Sequence, residues 1–559
     1  MIIDYLDSTS PNDVEADLCI VGAGAAGIAI ARSFIGTGTR VCVVESGGLA
    51  GEERSQSLYD GESIGSTPFD MSSSRMRVFG GSCTLWGGGC ITFSRHDLEP
   101  RDWVPRSGWP LSYDELEPWY AQARSYLGID THDFTDGSFL TPPARTPCSF
   151  DEGTLVNPVF ARSPMFFGKH YREELDAAEN IMVLLHANLM SLEATPDGAS
   201  IDHACVGSLD GRRGRITARQ YVLAAGGIEN ARLLLLSDSV FPEGLGNAND
   251  LVGRYFMDHP SGRLGAVATD DPDALARPYE RQLGKGPAPV SPEIALSVEA
   301  QRKHQMLAGR VHPFPIEGNV PFGVRALREF RAAMKPRVRD EAELLEMRMC
   351  ETMRNGPMLA TGLPGDTPNL GVLALRMGLG AGDIVRAFAK KLADRPTVRS
   401  QHVELIGYFE QAPNRDSRVM LGEDTDVLGL RKVSVDWQLS DIDRHTIRTA
   451  ARLFGEQLAR TCNGRFEPEP WVDANDDAPL PVHGTAHHLG TTRMAERADE
   501  GVVDRDCRVH GLANLHVAGS SVFPTGGWAF PTFTIVALSL RLAAHLQVLL
   551  ADCSVAGIT

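Results

Sequence analysis

A pair of histidines near the end of the chain has the surroundings that a proton-transfer site needs. His487 and His488 lie in GTAHHLGTTRM, and a predicted strand, LHVAG, then leads into a glycine-rich loop that ends at Pro531. Proline suits the first turn of a helix, and a helix start carries unpaired N–H groups and partial positive charge. The stretch could therefore hold a base and a positive helix start beside one small molecule. The alternative is a buried C-terminal helix with structural histidines.

The N-terminal segment has the pattern of a dinucleotide site. Residues 18–21 and 41–44 are short apolar runs that predict buried strands, and between them lie a helix, predicted over Ile28–Phe34, and the GxGxxG glycines Gly22, Gly24 and Gly27. Such glycines let the backbone approach a pyrophosphate at a helix start. Glu45 ends the second strand, at the distance expected of a carboxylate that binds ribose hydroxyls. An acid there favours FAD or NAD over NADP.

Two further glycine-rich turns could contact the same ligand. Five glycines fall between Gly80 and Gly89, in FGGSCTLWGGGC, which is too many for a regular helix or strand. Such a loop lets the backbone lie flat against a large planar molecule. A strand predicted over Tyr221–Ala224 is followed by Gly226 and by a helix that begins at Glu229, which again fits a nucleotide-binding sheet.

Composition narrows the class of protein. The 559 residues predict two or more domains, and the net charge of −18 argues against a nucleic-acid partner. The ten cysteines form no CxxC pair, so we expect neither a metal site nor a disulfide scaffold. The N-terminus lacks the features of a signal peptide, and we see no run of 18 apolar residues. We therefore expect a cytoplasmic protein with no membrane partner.

Seven motifs in order carry a family resemblance over nearly the whole chain. They are GAGAAG with its later glutamate, VFGGSCTLWGG, LAAGGIENARLLL, VGRYFMDHP, QAPNRDSRVML, HHLGTTRM and VAGSSVFPTGGWAFPTFTIVALSLRL. Together they resemble the glucose–methanol–choline (GMC) oxidoreductases, in particular the bacterial sugar-dehydrogenase and pyranose-oxidase branch.

The resemblance implies an α/β fold of two domains. A discontinuous, Rossmann-like FAD-binding domain would comprise residues 1–128, 176–257 and 484–559. An α+β substrate domain, built on a mainly antiparallel six-stranded sheet, would comprise 129–175 and 258–483. The middle of the chain is compatible with this. Helices are predicted at 326–334, 339–353, 382–394 and 441–460, and alternating strands at 403–411, 417–423 and 432–437.

The same resemblance assigns the site. His487 would take the proton of the substrate hydroxyl while hydride passes to flavin N5, and His488 is the weaker candidate. Phe530 occupies the position where the family usually has a second His or Asn. Leu85 stands where some members have a histidine bonded to the flavin, so we predict non-covalent FAD. The cofactor-binding candidates are Gly22, Gly24, Ala25, Ala26, Gly27, Glu45, Ser46, Arg77, Gly80, Gly81, Ser82, Leu85, Trp86, Gly87, Gly88, Asn188, Leu189, Ala225, Gly226, Asn230, Gly519, Ser520, Pro531 and Thr532.

The substrate is left more open. The family branch implies a glycoside or amino sugar, including an aminoglycoside-type intermediate oxidised at a primary hydroxyl, with oxygen or another electron acceptor. The acidic stretch FEPEPWVDANDD could hold an ammonium group through Glu467, Glu469, Asp473, Asp476 and Asp477, although a solvated loop is the simpler interpretation. A sterol- or choline-like alcohol, a lyase with structural FAD, and a flavin-binding protein without catalysis are alternatives. An oligomer is possible.

Overall fold

Two large sheets, one parallel and one antiparallel, form the framework of the protein. The computed structural model describes residues 1–65, 69–129, 145–151, 153–283, 288–334, 345, 369–474 and 478–555. The described α-helices are Ala25–Ser33, Glu53–Gln56, Arg95–Leu98, Tyr113–Tyr126, Phe167–Ala177, Glu229–Leu236, Pro272–Ala276, Val298–His304, Phe322–Ala333, Leu370–Leu379, Ala381–Leu392, Asp441–Thr461 and Pro531–Val555.

The first sheet has six parallel strands. In spatial order they are Ile2–Asp4, Ile181–Leu185, Val41–Val44, Leu18–Val21, Gln220–Leu223 and Leu515–Val517. The strands Leu18–Val21 and Val41–Val44 are buried at every position, because parallel strands covered on both faces are apolar throughout. Strands from three separate parts of the chain therefore meet in one sheet, with their carboxyl ends along one edge.

The second sheet confirms the predicted six-stranded antiparallel sheet. Its strands, in spatial order, are Arg465–Pro468, Ser261–Ala268, Ser400–Phe409, Gly309–Glu317, Ile294–Leu296 and Leu155–Val156. Alternate residues of Ser400–Phe409 are buried, as expected of a strand that faces a core on one side. The long helix Asp441–Thr461 packs across this sheet.

Three smaller sheets complete the strands. One contains Asn188–Ala194, Ile201–Gly207, Arg213–Thr217 and Asp13–Glu15. A second contains Gln282–Leu283, Pro289–Pro292, Val159–Arg162 and Gly89–Cys90, so it links the glycine-rich loop to the antiparallel sheet's side of the protein. The third contains Arg418–Thr425, Arg431–Trp437 and Gly61–Gly65. The exact domain boundaries stay a prediction.

Most predicted elements are present, with shifted ends. The helix after the first strand begins at Ala25, three residues before the predicted start. The strand before the Gly226 turn is Gln220–Leu223. The helix predicted to start with an aspartate begins at Asp441, but its N-cap is Ser440, which forms a capping box with Asp443. Apart from residue 345, the helix predicted over 339–353 lies outside the described residues.

The C-terminal helix belongs to the core of the protein. Pro531–Ala551 is long and apolar enough to cross a membrane, the only such helix in the described part of the chain, but just over half of its apolar window is buried inside the protein. It packs against the helices Ala25–Ser33 and Tyr113–Tyr126. The Tyr120 hydroxyl and the Thr534 hydroxyl lie 2.9 Å apart at this contact. Burial against its own chain therefore accounts for the apolar composition.

A buried ion pair joins the N-terminal part of the chain to the antiparallel sheet. The guanidinium of Arg101 donates to both carboxylate oxygens of Glu410, at 2.7 and 2.5 Å. The two side chains are 1% and 0% exposed. Glu410 follows the strand Ser400–Phe409 and also accepts the backbone N–H of Ala308 at 3.0 Å. This pair therefore fixes the position of the sheet relative to the loop that carries Arg101.

We expect Arg101→Met to lower the free energy of unfolding by about 3–5 kcal/mol, because it leaves the Glu410 carboxylate buried without its partner. Arg95→Met is the matched control, since Arg95 pairs with Asp114 at the surface, where side-chain exposures are 59% and 71%, and such pairs contribute about 0–1 kcal/mol. Urea unfolding of both variants measures the difference. Equal shifts would contradict the importance of the buried pair.

Candidate active site

The carboxyl ends of the parallel strands open into a cavity of about 640 Å³. Gly22, Glu45 and Ala224, which follow three neighbouring strands, all line it. A second part of the lining is formed by side chains from the strands Val159–Arg162 and Gly309–Glu317 and by Tyr408. We call this set of side chains the strand wall. The cavity thus extends from the edge of the parallel sheet to the antiparallel sheet.

Most residues predicted from the sequence line this cavity. They are Gly22, Gly24, Ala25, Ala26, Glu45, Ser46, Arg77, Gly81, Ser82, Leu85, Trp86, Gly87, Asn188, Leu189, Ala225, Gly226, His487, His488, Gly519, Ser520, Phe530, Pro531 and Thr532. The structure therefore brings together residues from the beginning, middle and end of the chain. Their individual roles stay predictions.

Four predicted residues, Gly27, Gly80, Gly88 and Asn230, do not line the cavity but shape the turns beside it. The three glycines lie so close to neighbouring backbone that a Cβ atom would come within 2.6 Å of it. The side chain of Asn230 joins two turns, because it accepts the N–H of Ala225 at 2.8 Å and donates to the carbonyl of Ala518 at 3.0 Å.

Glu45 is held at the strand end by two backbone donors. Its Oε2 accepts the N–H of Ala23 at 2.8 Å, and its Oε1 accepts the N–H of Gly47 at 2.8 Å. Burial raises the pKa of this carboxyl, while the two N–H groups act in the opposite direction. A carboxylate oxygen can accept more than one hydrogen bond, so both oxygens retain capacity for ribose hydroxyls.

Glycine backbone gives the cavity an open surface that fits FAD. A Cβ atom on Gly226 or Gly519 would meet no heavy atom within 4 Å, and one on Gly24 would meet only the Cα of Gly81, at 4.0 Å. These glycines face space that a ligand can fill, and a flat dinucleotide requires close approach to backbone. With Glu45 at the strand end, this surface suits the cofactor that the sequence predicts.

A buried cluster of charges lines the same cavity. Arg75 and Arg77 donate to the two oxygens of Glu229 at 2.8 and 3.1 Å, and Arg232 donates to Asp426 at 2.7 Å. Burial alone would raise the pKa of Glu229, but the guanidinium groups of Arg232, Arg77 and Arg75 lower it to about 2. Three cations and two carboxylates leave one positive charge in excess, which favours an anionic group such as phosphate nearby.

The loop that carries His487 is anchored by the buried carboxylate of Asp258. Oδ1 of Asp258 accepts the backbone N–H groups of His259, His487 and Thr485 at 2.6, 3.0 and 3.1 Å. Oδ2 accepts the N–H of Ala486 at 3.1 Å. Ala486 has φ 59°, a left-handed conformation that costs energy for a residue with a side chain. The carboxylate therefore stabilises a turn that would otherwise be unfavourable.

Hydrogen bonds on one ring nitrogen set the tautomer of His487. The Thr485 hydroxyl donates to Asp258 at 3.2 Å, so its oxygen is free to accept from Nδ1 of His487, 3.0 Å away. Nδ1 of His259 lies 2.9 Å from the same nitrogen and can accept as well. The proton of neutral His487 is then on Nδ1, and Nε2 carries the lone pair. No described residue hydrogen-bonds to that Nε2.

Burial keeps His487 neutral. It lowers the pKa of the imidazole well below its ordinary value, and the neighbouring His259 and the charge of Arg310 act in the same direction. Burial also lowers the pKa of His259 to about 4. His259 was missed as a candidate from the sequence, although the motif VGRYFMDHP contains both it and Asp258. His259 and His487 are thus two neutral histidines in contact. Because neither ring already carries an extra proton, His487 is able to accept one.

Phe530 places an apolar edge beside this pair. Its ring lies 6.1 Å from that of His487 and 5.0 Å from that of Phe160, measured between centroids. The guanidinium of Arg310 lies 4.8 Å from the centre of the Phe530 ring. Position 530, where the resemblance implies a His or Asn, therefore offers a cation–π surface.

His488 has surroundings typical of a packing residue. Its ring is 5.7 Å from the rings of both Phe69 and Phe256. Burial lowers its pKa to about 3, and its Nε2 is buried with no partner among the described residues. The aromatic neighbours favour a packing role for His488 over a catalytic one.

The strand wall contains charged residues that were not predicted. Arg310 and His312 alternate on Gly309–Glu317 and project to the same face of that strand, opposite Tyr408. Both contact Glu293, through Nη1 of Arg310 at 3.2 Å and Nδ1 of His312 at 3.0 Å. Arg162 lines the wall from another strand. The alternation in GRVHPFPIE was the signal that could have revealed this face.

The acidic stretch before His487 does not reach the cavity in the part that the structure describes. Glu467 pairs with Arg465, Glu469 with Arg263, and Asp473 with Arg452. None of the three acids lines the cavity, and Asp476 and Asp477 lie outside the described residues. Their arginine partners account for these acids without a substrate.

Comparison with known proteins identifies the kind of scaffold. A sequence model described as the C-terminal part of GMC oxidoreductases matches residues 413–539. The 6'''-hydroxyparomomycin C oxidase of Streptomyces lividus is 24% identical over 95% of this chain and 92% of its own length. The large subunit of fructose dehydrogenase from Gluconobacter japonicus is 24% identical over 78% of this chain and 73% of its own.

A solved structure shares the fold. Pyridoxine 4-oxidase from Mesorbium loti superposes with a TM-score of 0.55 at 17% sequence identity, covering 95% of this chain and 99% of that one. The family match covers the segment with His487 and Phe530, and the relatives align along the rest of the chain. The chain therefore resembles GMC oxidoreductases over residues 413–539 and aligns with known oxidases and dehydrogenases along most of its length, in agreement with an FAD-dependent oxidoreductase.

Proposed function

We propose that this enzyme oxidises a hydroxyl group of a sugar-like substrate, with His487 as the base. The observation that carries the proposal is the hydrogen bonding of Nδ1 of His487, which leaves the Nε2 lone pair available in a cavity-lining residue. Bound FAD supplies the two-electron acceptor. The relatives favour a sugar-like alcohol, since one is an oxidase of an aminoglycoside and another a fructose dehydrogenase.

Proton transfer is the part of the reaction that this chain performs. Nε2 of His487 takes the proton of the substrate hydroxyl as the alcohol carbon becomes a carbonyl. The proton on Nδ1 stays in its bonds to Thr485 and His259, which keep the ring oriented. Neighbouring positive charge from Arg310 stabilises the alkoxide that develops, although Phe530 cannot donate to it.

The cofactor is held without a covalent bond in this proposal. Leu85 occupies the position of the flavin-linking histidine and packs against the apolar residues Met76, Val78 and Leu345. A lyase with structural FAD would also use a base such as His487, so flavin reduction is the property that separates the two functions. Anaerobic bleaching of the flavin band by sugars or glycosides supports oxidation, and no bleaching by any alcohol contradicts it.

Gly24→Val tests whether FAD occupies the glycine surface. Gly24 has φ −83°, so a side chain brings no backbone strain, and its Cβ would enter the cavity. We expect FAD binding to weaken by about 1–3 kcal/mol, the cost of adding atoms to a filled site, with the fold retained. Gly38→Val is the control, because Gly38 is exposed with no heavy atom near its Cβ position. Flavin content and circular dichroism measure both; unchanged flavin in Gly24→Val would contradict the assignment.

His487→Ala tests the base. The rate of anaerobic flavin reduction should fall by about 10²- to 10⁴-fold, the usual contribution of such a group, while FAD content stays unchanged. His488→Leu, which places an apolar side chain beside Phe69 and Phe256, should reduce flavin at nearly the normal rate. Stopped-flow absorbance measures both rates. Equal rates in His487→Ala and the unaltered enzyme would exclude the proposed role.

The pH dependence of flavin reduction should follow the ionisation of Asp258, which anchors the loop, rather than that of His487. Burial raises the pKa of Asp258 to about 6, against the effect of its N–H donors, so the carboxylate is ionised above pH 6 and protonated below. A protonated oxygen loses acceptor capacity, and the loop that holds His487 loosens. Flavin reduction should therefore slow as pH falls through about 6. A raised carboxyl pKa in the folded state favours folding at lower pH, so this loss should occur without unfolding.

Asp258→Asn is expected to slow flavin reduction about 10²-fold at high pH, as small displacements of catalytic groups do, and to remove the fall near pH 6. Asp443→Asn is the matched control. Burial raises the pKa of Asp443 to about 6 as well, but its carboxylate accepts from Ser440 and from the N–H of Ala412 rather than from the loop of His487. A pH profile that loses its acid limb in the Asp443 variant would refute the assignment to Asp258.

A further inference from the structure

We propose that the substrate alcohol carries an anionic oxygen group, of the carboxylate or phosphate type, which binds to Arg310 and Arg162 on the strand wall. The inference rests on the proposed function, because it places this group beside the hydroxyl that His487 deprotonates. It differs from the amino-sugar chemistry of one of the relatives.

Arg310 is a buried cation with unused donors. Its side chain is 7% exposed, and among the residues that the structure describes only Glu293 accepts a hydrogen bond from it, at Nη1. Nε is buried with no partner, and no described residue accepts from Nη2. The guanidinium stacks 3.9 Å from the ring centre of Tyr408 and 4.8 Å from that of Phe530. An arginine held flat in this way presents a rigid fork that matches carboxylate and phosphate.

Arg162 adds a second positive charge. Its Nε donates to the Ser291 hydroxyl at 3.0 Å, and its Nη1 donates to the carbonyl of Gly87 at 3.3 Å. Both partners are neutral, and the other terminal nitrogen has no acceptor within the described chain. Burial lowers the pKa of Arg162, and repulsion from Arg281 and Arg310 lowers it further, against the attraction of Glu293. An anion between Arg162 and Arg310 would relieve the repulsion between these two residues.

The acids of the cavity are already occupied. Its described lining contains four carboxylates, Glu45, Glu229, Asp426 and Glu293. Glu229 and Asp426 pair with the arginine cluster, Glu45 lies at the strand end with two backbone donors, and Glu293 contacts Arg310 and His312. Glu293 stays ionised, because burial is outweighed by His312 and Arg310, which lower its pKa. An ammonium group would therefore meet cations without a free carboxylate.

A matched set of hexose derivatives tests the inference on the FAD-loaded enzyme. The set contains a neutral methyl hexoside, the corresponding hexuronoside, a hexose 6-phosphate and an aminohexoside. Calorimetric titration under anaerobic conditions gives binding, and flavin bleaching gives reaction. We expect an anionic compound to bind about 10- to 100-fold more tightly than the neutral one, the range for hydrogen bonds to charged groups. Comparison of the hexuronoside with the phosphate distinguishes the two anions.

Arg162→Gln should abolish most of that advantage, because the amide can keep the bond to Ser291 but carries no positive charge. A double variant, Arg310→Gln with Glu293→Gln, removes the other charge without leaving an unpaired carboxylate and should act in the same direction. Arg263→Gln is the control. Arg263 lies in the same antiparallel sheet as Arg310, on the other side of the strand Ser400–Phe409, pairs with Glu404 and Glu469, and does not line the cavity.

The outcomes separate the two proposals. Equal or weaker binding of both anions, no binding at all, or preference for the aminohexoside would overturn the anionic group, and bleaching by a neutral or amino sugar would still support alcohol oxidation. Tight binding of an anion that depends on Arg162, with no bleaching by any compound, would support the anion site and contradict the oxidation.

Discussion

The buried carboxylate of Asp258 is the interaction on which the geometry of the site depends. The Asp258 side chain accepts four backbone N–H groups, one from His259 and three from residues 485–487. It accepts the Thr485 hydroxyl as well. Hydrogen bonds to an ionised acceptor are about twice as strong as neutral ones, which offsets the cost of burying the charge. Two segments that are 228 residues apart in the chain, at His259 and His487, are thereby held in contact.

This arrangement supports the proposed role of His487 as a base inside a buried site. Burial makes the charged imidazolium unfavourable, so His487 is neutral when it meets a substrate. The threonine and the second histidine then decide which nitrogen carries the proton, and the carboxylate orients the threonine without touching the imidazole itself. Orientation and protonation state are thus controlled through the backbone of one turn, which is a more rigid support than a flexible side chain.

Sequence patterns pointed to the glycine-lined half of the cavity because its residues are close together in the chain. Gly22, Gly24 and Glu45 fall on one strand–helix–strand unit, so their spacing alone places them at one strand end. The motif with His259 and the alternation around Arg310 mark those segments, but their contacts depend on distant parts of the chain that local spacing does not reveal. The antiparallel sheet was predicted, yet strand order and register decide that Arg310 lies opposite Tyr408. Whether a charged side chain such as Arg310 faces the cavity therefore depends on that register.

The strand wall gives a reason for a phenylalanine, rather than a polar residue, at position 530. A polar residue at that position would compete for the face of Arg310, whereas an aromatic ring packs against the guanidinium and leaves its edge available. The same ring rests against Gly89, where a Cβ atom would approach it to 2.8 Å. The glycine-rich loop, the phenylalanine and the arginine therefore form one layer, and a change in any of them alters the charge presented beside His487. The lack of a hydrogen-bonding side chain at position 530 and the orientation of the Arg310 cation are two consequences of a single packing arrangement.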